Sequence, residues 1–422
     1  GLTFQDLQTG VCEFEAAKTI HKLVNLPGTI SLGYNSLAFD DQFLRFLFYR
    51  NLLDPYSHQY SHGCSRMDIL PIAVIYYLFS PKILSWPVIE GKPSLKLENI
   101  STENAFVTSG KAHEAMSDVE AVIELCKAFL INKDIWNYAL DFFVKIRDEI
   151  RIHNIKKETR IHGRSFRVCL MVSASFGADK NYMAPVLHLG QSAVYKNQSL
   201  WLRLDGDDIL GISCGLDIGD TMVIRKKMGD EFIVLPLLER FQQKLTPEAC
   251  LKMEENQDEI QKQWPRLFEL IQYHTEYKYP VIPQMDIDAS LYQDGFFSHQ
   301  EKQECRRFHK ADGDSRPQVT ETMQCPRIKK LASRILFRNA SGDLSFETAP
   351  KWSTHLNRLK SDDVNDRFVG YKNEYKLTVF EAIEHLKEVK TRLTSPTAEQ
   401  QKILAWLDNY LSGLQISPAE PF

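Results

Sequence analysis

The segment from Lys111 to Leu130 has the spacing of a helix with one acidic residue on its apolar face. At about 100° per residue, Asp118 falls on the same line as Val122, Leu125 and Phe129, the pattern of a core-facing stripe. An unpaired buried carboxylate is strongly unfavourable, whereas a bound divalent cation makes the same position favourable. The pattern therefore predicts a helix whose inward-facing acid has a partner.

His113 precedes Asp118 by one to two helical turns and lies at or just before the first turn of this helix. From there its imidazole can overlook whatever Asp118 holds. Two interpretations of the helix stay open at this point. Either the two residues form a functional pair, or Asp118 caps a neighbouring loop and His113 is a surface residue.

A second acidic motif lies at 29–41, with the sequence TISLGYNSLAFDD. A short β-prone run is followed by a Gly-Tyr-Asn break, and Asp40 and Asp41 then open a helix rich in Phe and Leu. An acid at a strand-to-helix junction lies near the active-site edge of many α/β folds. Asp40 is therefore a second candidate site residue.

Composition bounds the class of protein. With 422 residues and 43% hydrophobic content, the chain can form two or three domains with their own cores. A net charge of −4 gives no global basic signature, so nucleic-acid binding would depend on local patches. The eight cysteines form no CxxC pairs and are interpreted as reduced cytoplasmic thiols. A phosphate-binding glycine loop and a GxSxG elbow are both absent from the sequence.

The pattern changes along the chain. Between Phe166 and Pro236, β-prone runs alternate with Gly and Asp turns, which predicts a small antiparallel barrel. Helical patterns return from Thr246, and capping boxes begin helices at Thr378 and Thr397. The predicted domains are 1–132, 133–279 and 284–422, with a boundary at the PVIP stretch of 280–283.

Several charged residues are interpreted as structural. Arg66 and Asp68 are predicted to form an ion pair or a helix cap ahead of the apolar helix at 69–79. The basic run of Arg327, Lys329, Lys330 and Arg334 is interpreted as a solvated helix face, the alternative being that it lines a channel. His58, His62 and Cys64 have side chains that can bind zinc, but a structural zinc site needs four ligands and no fourth lies at a recognisable spacing.

GYNSLAFDD followed by AHEAMSD resembles the second and third acidic motifs of the DEDD exonucleases, in the subgroup whose third motif is His, four residues, Asp. Four further segments resemble the exonuclease I family in the same order along the chain: FYRNLLDPY (48–56), SRMDIL (65–70), SASFGADKNYMAPV (173–186) and LYQDGFFS (291–298). The resemblance implies an N-terminally truncated α/β nuclease domain of ribonuclease-H-like type, then an SH3-like β-barrel domain and a C-terminal helical domain.

The resemblance also implies a function: a 3′→5′ exonuclease of DNA repair and recombination that degrades single-stranded DNA to 5′-mononucleotides with two Mg²⁺ or Mn²⁺ ions. Asp118 and Asp40 would be metal ligands, and His113 would be the general base. The implied partners are single-stranded DNA and single-strand DNA-binding protein, with no membrane, for a monomer in the cytoplasm or at the nucleoid. The implied strand-binding residues are Lys96, where the family has Arg, and Arg45, Tyr56, Tyr60, Ser173 and Phe176.

The family's first motif is Asp-x-Glu on a buried strand. Glu13 and Glu15 have a similar spacing, but they lie on an amphipathic helix and are interpreted as a solvated face. The motif is expected upstream of the segment that GLTFQ resembles, so the sequence is expected to be a fragment that lacks half of the metal ligands and is inactive alone.

Two alternatives remain. The first is a module that binds single strands without cutting them, which the missing motif favours. The second is another enzyme of the superfamily, such as an oligoribonuclease or a polymerase proofreading subunit. Those are short nuclease domains, so the long barrel and helical extension argue against them.

Overall fold

The computed structural model describes residues 9–106, 115–212, 217–339, 349–361 and 363–416. Within these residues, no helix has both the length and the apolar character needed to cross a membrane. The chain divides into two compact units. The described residues of the first unit lie within 27–42 and 59–279, and the second unit contains the residues up to 26, then 43–58 and those from 280 onward.

The first part of the chain alternates short strands with helices. In order, the elements are α1 (Glu13–Val24), β1 (Ile30–Gly33), α2 (Asp40–Arg50), β2 (Ser65–Asp68), α3 (Ile69–Phe79), β3 (Val88–Ile89), β4 (Lys92–Pro93), α4 (Leu97–Glu103) and α5 (Ala115–Phe129). Strands β1 and β2 pair in parallel, with Gly33 opposite Asp68 at their shared end.

The middle part contains most of the strands. Its elements are α6 (Lys133–Leu140), α7 (Lys145–Asn154), β5 (Thr159–Ile161), β6 (Arg164–Phe166), β7 (Val168–Val172), β8 (Met183–Gln191), β9 (Gln198–Arg203), β10 (Val223–Lys227), β11 (Ile233–Pro236), α8 (Glu239–Gln242), α9 (Pro247–Lys262) and α10 (Trp264–Glu276).

The last part is helical, as the sequence predicts. Its helices are α11 (Leu291–Asp294), α12 (His299–Lys310), α13 (Arg316–Glu321), α14 (Pro326–Asn339), α15 (Ala349–Lys360), α16 (Val379–Arg392) and α17 (Ala398–Ile416). The predicted capping box at Thr378 is present at the start of α16.

The apolar helix α3 lies in the core of the first unit, and α5 packs into the same core. Tyr76 of α3 stacks on Phe129 of α5 with ring centroids 4.2 Å apart. The stripe predicted for α5 is confirmed, because Val122, Leu125 and Phe129 are buried. The inward position predicted for Asp118 is wrong: its side chain is exposed, since the first turn of α5 extends beyond the core and also exposes Met116 and Val119.

Five antiparallel strands form the larger sheet of the first unit's described residues, in the order β10-β9-β8-β7-β11. The antiparallel strands predicted for this region are thereby confirmed. Both faces are covered: Leu187, Leu200 and Leu202 lie in a core with α9 and α10, and Cys169 and Trp201 lie in a smaller one. Strands β10 and β11 form the two edges of this order, so closure into an SH3-like barrel stays a prediction.

The core of the second unit combines distant parts of the sequence. Phe14 of α1 and Tyr49 of α2 pack in one cluster with Phe308 of α12 and Ile328 of α14. This grouping differs from the predicted domain 1–132, because aromatic residues of α1 and α2 bury their surface against C-terminal helices.

Two charged residues that the sequence predicts on solvated faces are packed in this unit, whereas Glu15 and Lys330 of the same runs are exposed as predicted. Glu13 is half-buried and accepts hydrogen bonds from Arg50 at 2.6 and 2.9 Å and from Asn51 at 2.9 Å. Arg334 is buried on α14 and forms an ion pair with Asp286 at 3.2 Å. In both cases packing against distant helices replaces the solvent that the local pattern suggests.

Candidate functional site

The ends of β1 and β2 form the base of the candidate site. After Gly33 the chain turns through 34–39 and begins α2 at Asp40. A Cβ atom on Gly33 would lie 2.8 Å from Ser36 Cβ and 3.8 Å from Asp40 Oδ2. Only glycine therefore lets the loop fold back tightly enough to place the Asp40 carboxylate beside the strand end.

Asp68 fastens this loop from the neighbouring strand. Its Oδ1 accepts hydrogen bonds from the backbone N–H groups of Asn35 at 2.8 Å and Leu70 at 2.9 Å, and its Oδ2 accepts one from Leu37 at 3.0 Å. The predicted helix cap is confirmed, since Asp68 is the N-cap of α3. The same carboxylate also holds two points of the loop that leads to Asp40.

Burial raises the pKa of Asp68 to about 6, because an ionised carboxylate is poorly solvated there. The three backbone donors lower the pKa, and the negative charge of Asp40 raises it. The interaction between the two charges indicates that Asp40 and Asp68 are electrostatic neighbours.

Asp41 has a different task from the adjacent Asp40. Its carboxylate is buried and accepts hydrogen bonds from Arg66 at 2.5 Å and from the side-chain amide of Gln59 at 3.0 Å. Arg66 thus pairs with Asp41 and not with Asp68, the partner named in the prediction, and the pair ties the first turn of α2 to β2. The Asp40 carboxylate, by contrast, is exposed.

The environment of Asp40 suits a hard cation. Partial desolvation raises its pKa and the neighbouring Asp41 carboxylate raises it further, while its own backbone N–H lowers it. A divalent cation would relieve this repulsion, and carboxylate oxygens are the ligands that Mg²⁺ and Mn²⁺ prefer. The Asp40 carboxylate is therefore chemically suited to be one ligand of such an ion.

The third acidic motif is described in part. Asp118 lies in the exposed first turn of α5, where the helix N-terminus favours negative charge. His113 lies outside the described residues. Across the described ranges, no group of three or more His, Cys, Asp and Glu side chains has an arrangement that could hold a metal ion, and this includes the residues at 58, 62 and 64.

The strand-binding candidates of the first unit differ in accessibility. Tyr60 is 66% exposed, and Lys96 is an exposed residue at the N-terminus of α4. Phe176 is half-buried, with the Arg203 guanidinium 4.8 Å from the centre of its ring. These side chains can offer an aromatic surface and positive charge to a ligand.

Ser173 has a local role in the structure. It is buried, its Oγ accepts a hydrogen bond from the Ser175 backbone N–H at 3.2 Å, and the two Oγ atoms are 2.8 Å apart. Its hydroxyl therefore holds the turn that carries Phe176.

In the second unit, Arg45 lies within an aromatic group. Its guanidinium is 5.5 Å from the centre of the Tyr56 ring, and Nη1 donates to the Tyr292 hydroxyl at 3.4 Å. Phe296, which is 76% exposed, meets Tyr56 edge to face at 5.1 Å. Tyr292 and Phe296 were not among the predicted site residues, although both lie in the LYQDGFFS segment; exposed aromatics beside a basic residue are the signal that could have found them.

Together these features define an α/β protein with an acidic site at a parallel strand end, followed by an antiparallel sheet and a helical region. Residues 285–414 match the family model described as the Exonuclease I C-terminal domain. The chain is 27% identical over 399 residues to exodeoxyribonuclease I of Escherichia coli K12, covering 90% of this chain and 81% of the relative. It is 28% identical over 359 residues to the same protein of Buchnera aphidicola subsp. Schizaphis graminum, covering 81% and 72%. The chain is therefore similar to exodeoxyribonuclease I over most of its length.

Solved structures share the fold. E. coli exonuclease I in complex with a dA16 oligonucleotide superposes with a TM-score of 0.80 at 23% identity, covering 98% of this chain and 87% of that one. The zinc-bound form of the E. coli exonuclease I complex with single-stranded DNA has a TM-score of 0.78 at 23% identity, covering 98% and 87%. A structure of SSB/Exonuclease I with the inhibitor CFAM has a TM-score of 0.77 at 22% identity, covering 98% and 86%.

Proposed function

We propose that the protein is a 3′→5′ exonuclease that hydrolyses single-stranded DNA to 5′-mononucleotides. The observation that carries this proposal is the exposed Asp40 carboxylate on a loop fastened by buried Asp68, in a chain homologous to exodeoxyribonuclease I over 90% of its length. In this proposal β1, β2 and the helices around them belong to the ribonuclease-H-like nuclease domain. The five-stranded sheet belongs to the SH3-like domain, and the domain boundaries remain those predicted from the sequence.

Asp40 and Asp118 are the residues of this chain that would hold metal ions. Two bound Mg²⁺ or Mn²⁺ ions supply a water of lowered pKa and stabilise the negative charge that develops on the leaving oxygen. The protein's part is to hold both carboxylates in place. The N-terminus of α5 favours the charge on Asp118, and the bonds to Asp68 and Asp41 fix the segment that carries Asp40.

His113 is the proposed general base. An imidazole has a pKa near neutrality, so it can accept a proton from the attacking water at physiological pH. The water oxygen bonds to phosphorus as the bond to the 3′ oxygen of the preceding nucleotide breaks. The products are a 5′-mononucleotide and a strand shortened by one residue with a 3′ hydroxyl.

Both units carry groups that can bind a single strand without reading its sequence. Aromatic rings stack on any base and cations meet phosphates, which suits Tyr60, Phe176 and Lys96 in the first unit and Arg45 with Tyr56 in the second. Lys96 offers a point charge where an Arg would offer two parallel hydrogen bonds. We assign Ser173 to shaping the turn of Phe176.

Single-strand DNA-binding protein is the proposed protein partner. The support is the SSB/Exonuclease I structure, whose exonuclease shares the fold of this chain. A pull-down of the purified protein with single-strand DNA-binding protein tests this partner, and failure to bind in low salt contradicts it.

Substrate class is tested with matched oligonucleotides labelled at the 3′ or the 5′ end, using the protein with any coding residues upstream of Gly1. We expect mononucleotides at once from the 3′-labelled single-stranded DNA, with duplex DNA and short RNA cleaved far more slowly. Preference for short RNA would favour an oligoribonuclease. Binding without cleavage of any substrate would favour the binding module, which the homology to a named exodeoxyribonuclease does not support.

A further inference from the structure

We propose that Asp68 is a positioning residue for metal binding: its carboxylate clamps the loop that presents Asp40. This inference rests on the proposed function, because it assigns Asp40 to a metal ion. Asp68 would touch neither metal nor substrate and would act through the backbone of 35–37. Its loss would therefore weaken metal binding and leave the chemistry intact once metal saturates the site.

The hydrogen-bond pattern exceeds what a helix cap requires. Capping α3 uses one bond, from the Leu70 N–H to Oδ1, and a serine hydroxyl serves that purpose about as well. The bonds from Asn35 and Leu37 reach across from the segment after β1 and engage both carboxylate oxygens. The parallel register that pairs Gly33 with Asp68 makes this reach possible.

The choice of a carboxylate is costly at this position. Asp68 is 1% exposed, and the neighbouring charge of Asp40 repels it. The nearby cation Arg66 forms its ion pair with Asp41. The benefit that offsets this cost is geometric. A carboxylate has two equivalent acceptor oxygens, so one buried side chain can hold several backbone N–H groups in fixed positions.

The clamp is also in the right place. Asn35 is in the left-handed backbone region, with φ of 58°, and Ser36 packs above Gly33, so the loop is tightly wound. Asp40, whose carboxylate is exposed, follows Leu37 by three residues. Groups that orient metal ligands without touching the metal typically contribute 10- to 100-fold to metal affinity.

Two variants separate the clamp from the cap. Asp68→Ser keeps an acceptor for the Leu70 N–H and loses the bonds to Asn35 and Leu37. Asp68→Asn keeps the shape and one acceptor oxygen but turns an N–H₂ group toward a backbone donor. Thr246→Ala is the matched control. Thr246 caps α9 in the same unit, where its hydroxyl oxygen accepts a hydrogen bond from the Ala249 backbone N–H at 3.2 Å.

The experiment measures Mn²⁺ binding by electron paramagnetic resonance on the folded proteins, together with the Mg²⁺ concentration that gives half-maximal cleavage. Thermal unfolding first establishes that each variant is folded at the assay temperature. We expect Asp68→Ser to weaken Mn²⁺ binding about tenfold or more, Asp68→Asn to fall between it and the parent, and Thr246→Ala to match the parent. Cleavage by Asp68→Ser should recover most of the parental rate at saturating Mg²⁺.

Unchanged Mn²⁺ affinity in both Asp68 variants would overturn the inference, as would an equal loss in Thr246→Ala. A parent that binds Mn²⁺ through Asp40 but cuts nothing would contradict the proposed function alone, and the binding comparison would still test the clamp. A parent whose Mn²⁺ affinity is unaffected by Asp40→Ala would contradict both.

Discussion

The loop that carries Asp40 and the surface around Arg45 are built in opposite ways. The loop is fixed by buried acids: two of its backbone N–H groups donate to Asp68, and Asp41 at its end forms an ion pair with Arg66. The Arg45 surface consists of aromatic rings, and its neighbours Phe296 and Tyr292 are 76% and 43% exposed. Chemistry on phosphorus demands ligands held in place, whereas sequence-independent binding benefits from rings that can adjust to any base.

Removing a proposed metal ligand or the proposed general base is expected to have the largest effect. Asp40→Asn, Asp118→Ala and His113→Ala should each lower mononucleotide release by at least ~100-fold while strand affinity stays within about twofold. Single-turnover cleavage and fluorescence anisotropy on the same oligonucleotide measure the two quantities. Asp179→Asn, at an exposed acid of the first unit, is the control and should leave both unchanged. Unchanged cleavage in any of the three would remove that residue from the site.

Breaking the Asp41–Arg66 pair tests whether the loop depends on buried charge. Arg66→Ala leaves the Asp41 carboxylate without its guanidinium, so we expect a loss of about 3 kcal/mol in the free energy of unfolding. Lys127→Ala, which removes an exposed pair with Glu124, should cost less than about 0.5 kcal/mol. Equal losses in the two variants, measured by urea denaturation, would show that the Asp41 pair behaves as a surface pair.

Asp68 should make stability depend on pH. Its pKa is about 6 in the folded protein and about 4 in the unfolded chain. Between pH 4 and pH 6 the folded state therefore binds more protons at Asp68 than the unfolded state does. The free energy of unfolding should therefore fall by roughly 2 to 3 kcal/mol as pH rises from 4 to 7. Asp68→Asn should lack this component, which the difference between parent and variant in EDTA measures. Glu231, whose pKa is also raised to about 6 by burial and in part by the charge of Asp68, contributes to both proteins. A difference that is constant with pH would contradict the assignment.

The smallest effects are expected at the aromatic surface. Tyr56→Ala should weaken single-strand binding by about 1 to 3 kcal/mol, the contribution of one stacked base. Arg45→Ala should in addition lower the slope of log affinity against log salt by about 0.7, since one phosphate contact is lost. Phe380→Ala, at a 42% exposed ring on α16, is the matched control. A salt slope unaltered by Arg45→Ala would remove Arg45 from the phosphate contacts.

Sequence patterns predicted the features that depend on neighbouring residues alone, such as helix faces and helix caps. The apolar stripe of Val122, Leu125 and Phe129 and the cap at Asp68 are both present. The exposure of Asp118 was missed, because periodicity gives the direction of a side chain but not where the core ends. The packing of Phe14 on Phe308 leaves no local signal, and the reach of Asp68 to Asn35 depends on a strand register that the sequence does not display.

The most direct test is release of 5′-mononucleotides from a 3′-labelled single-stranded oligonucleotide, with Mg²⁺ and with EDTA. It compares the protein, with any coding residues upstream of Gly1, and its Asp40→Asn variant. We expect steady release by the parent in Mg²⁺, none in EDTA, and almost none by the variant, which still binds the strand. Release that persists in EDTA, or that Asp40→Asn leaves intact, would contradict a metal-dependent nuclease site at the end of β1.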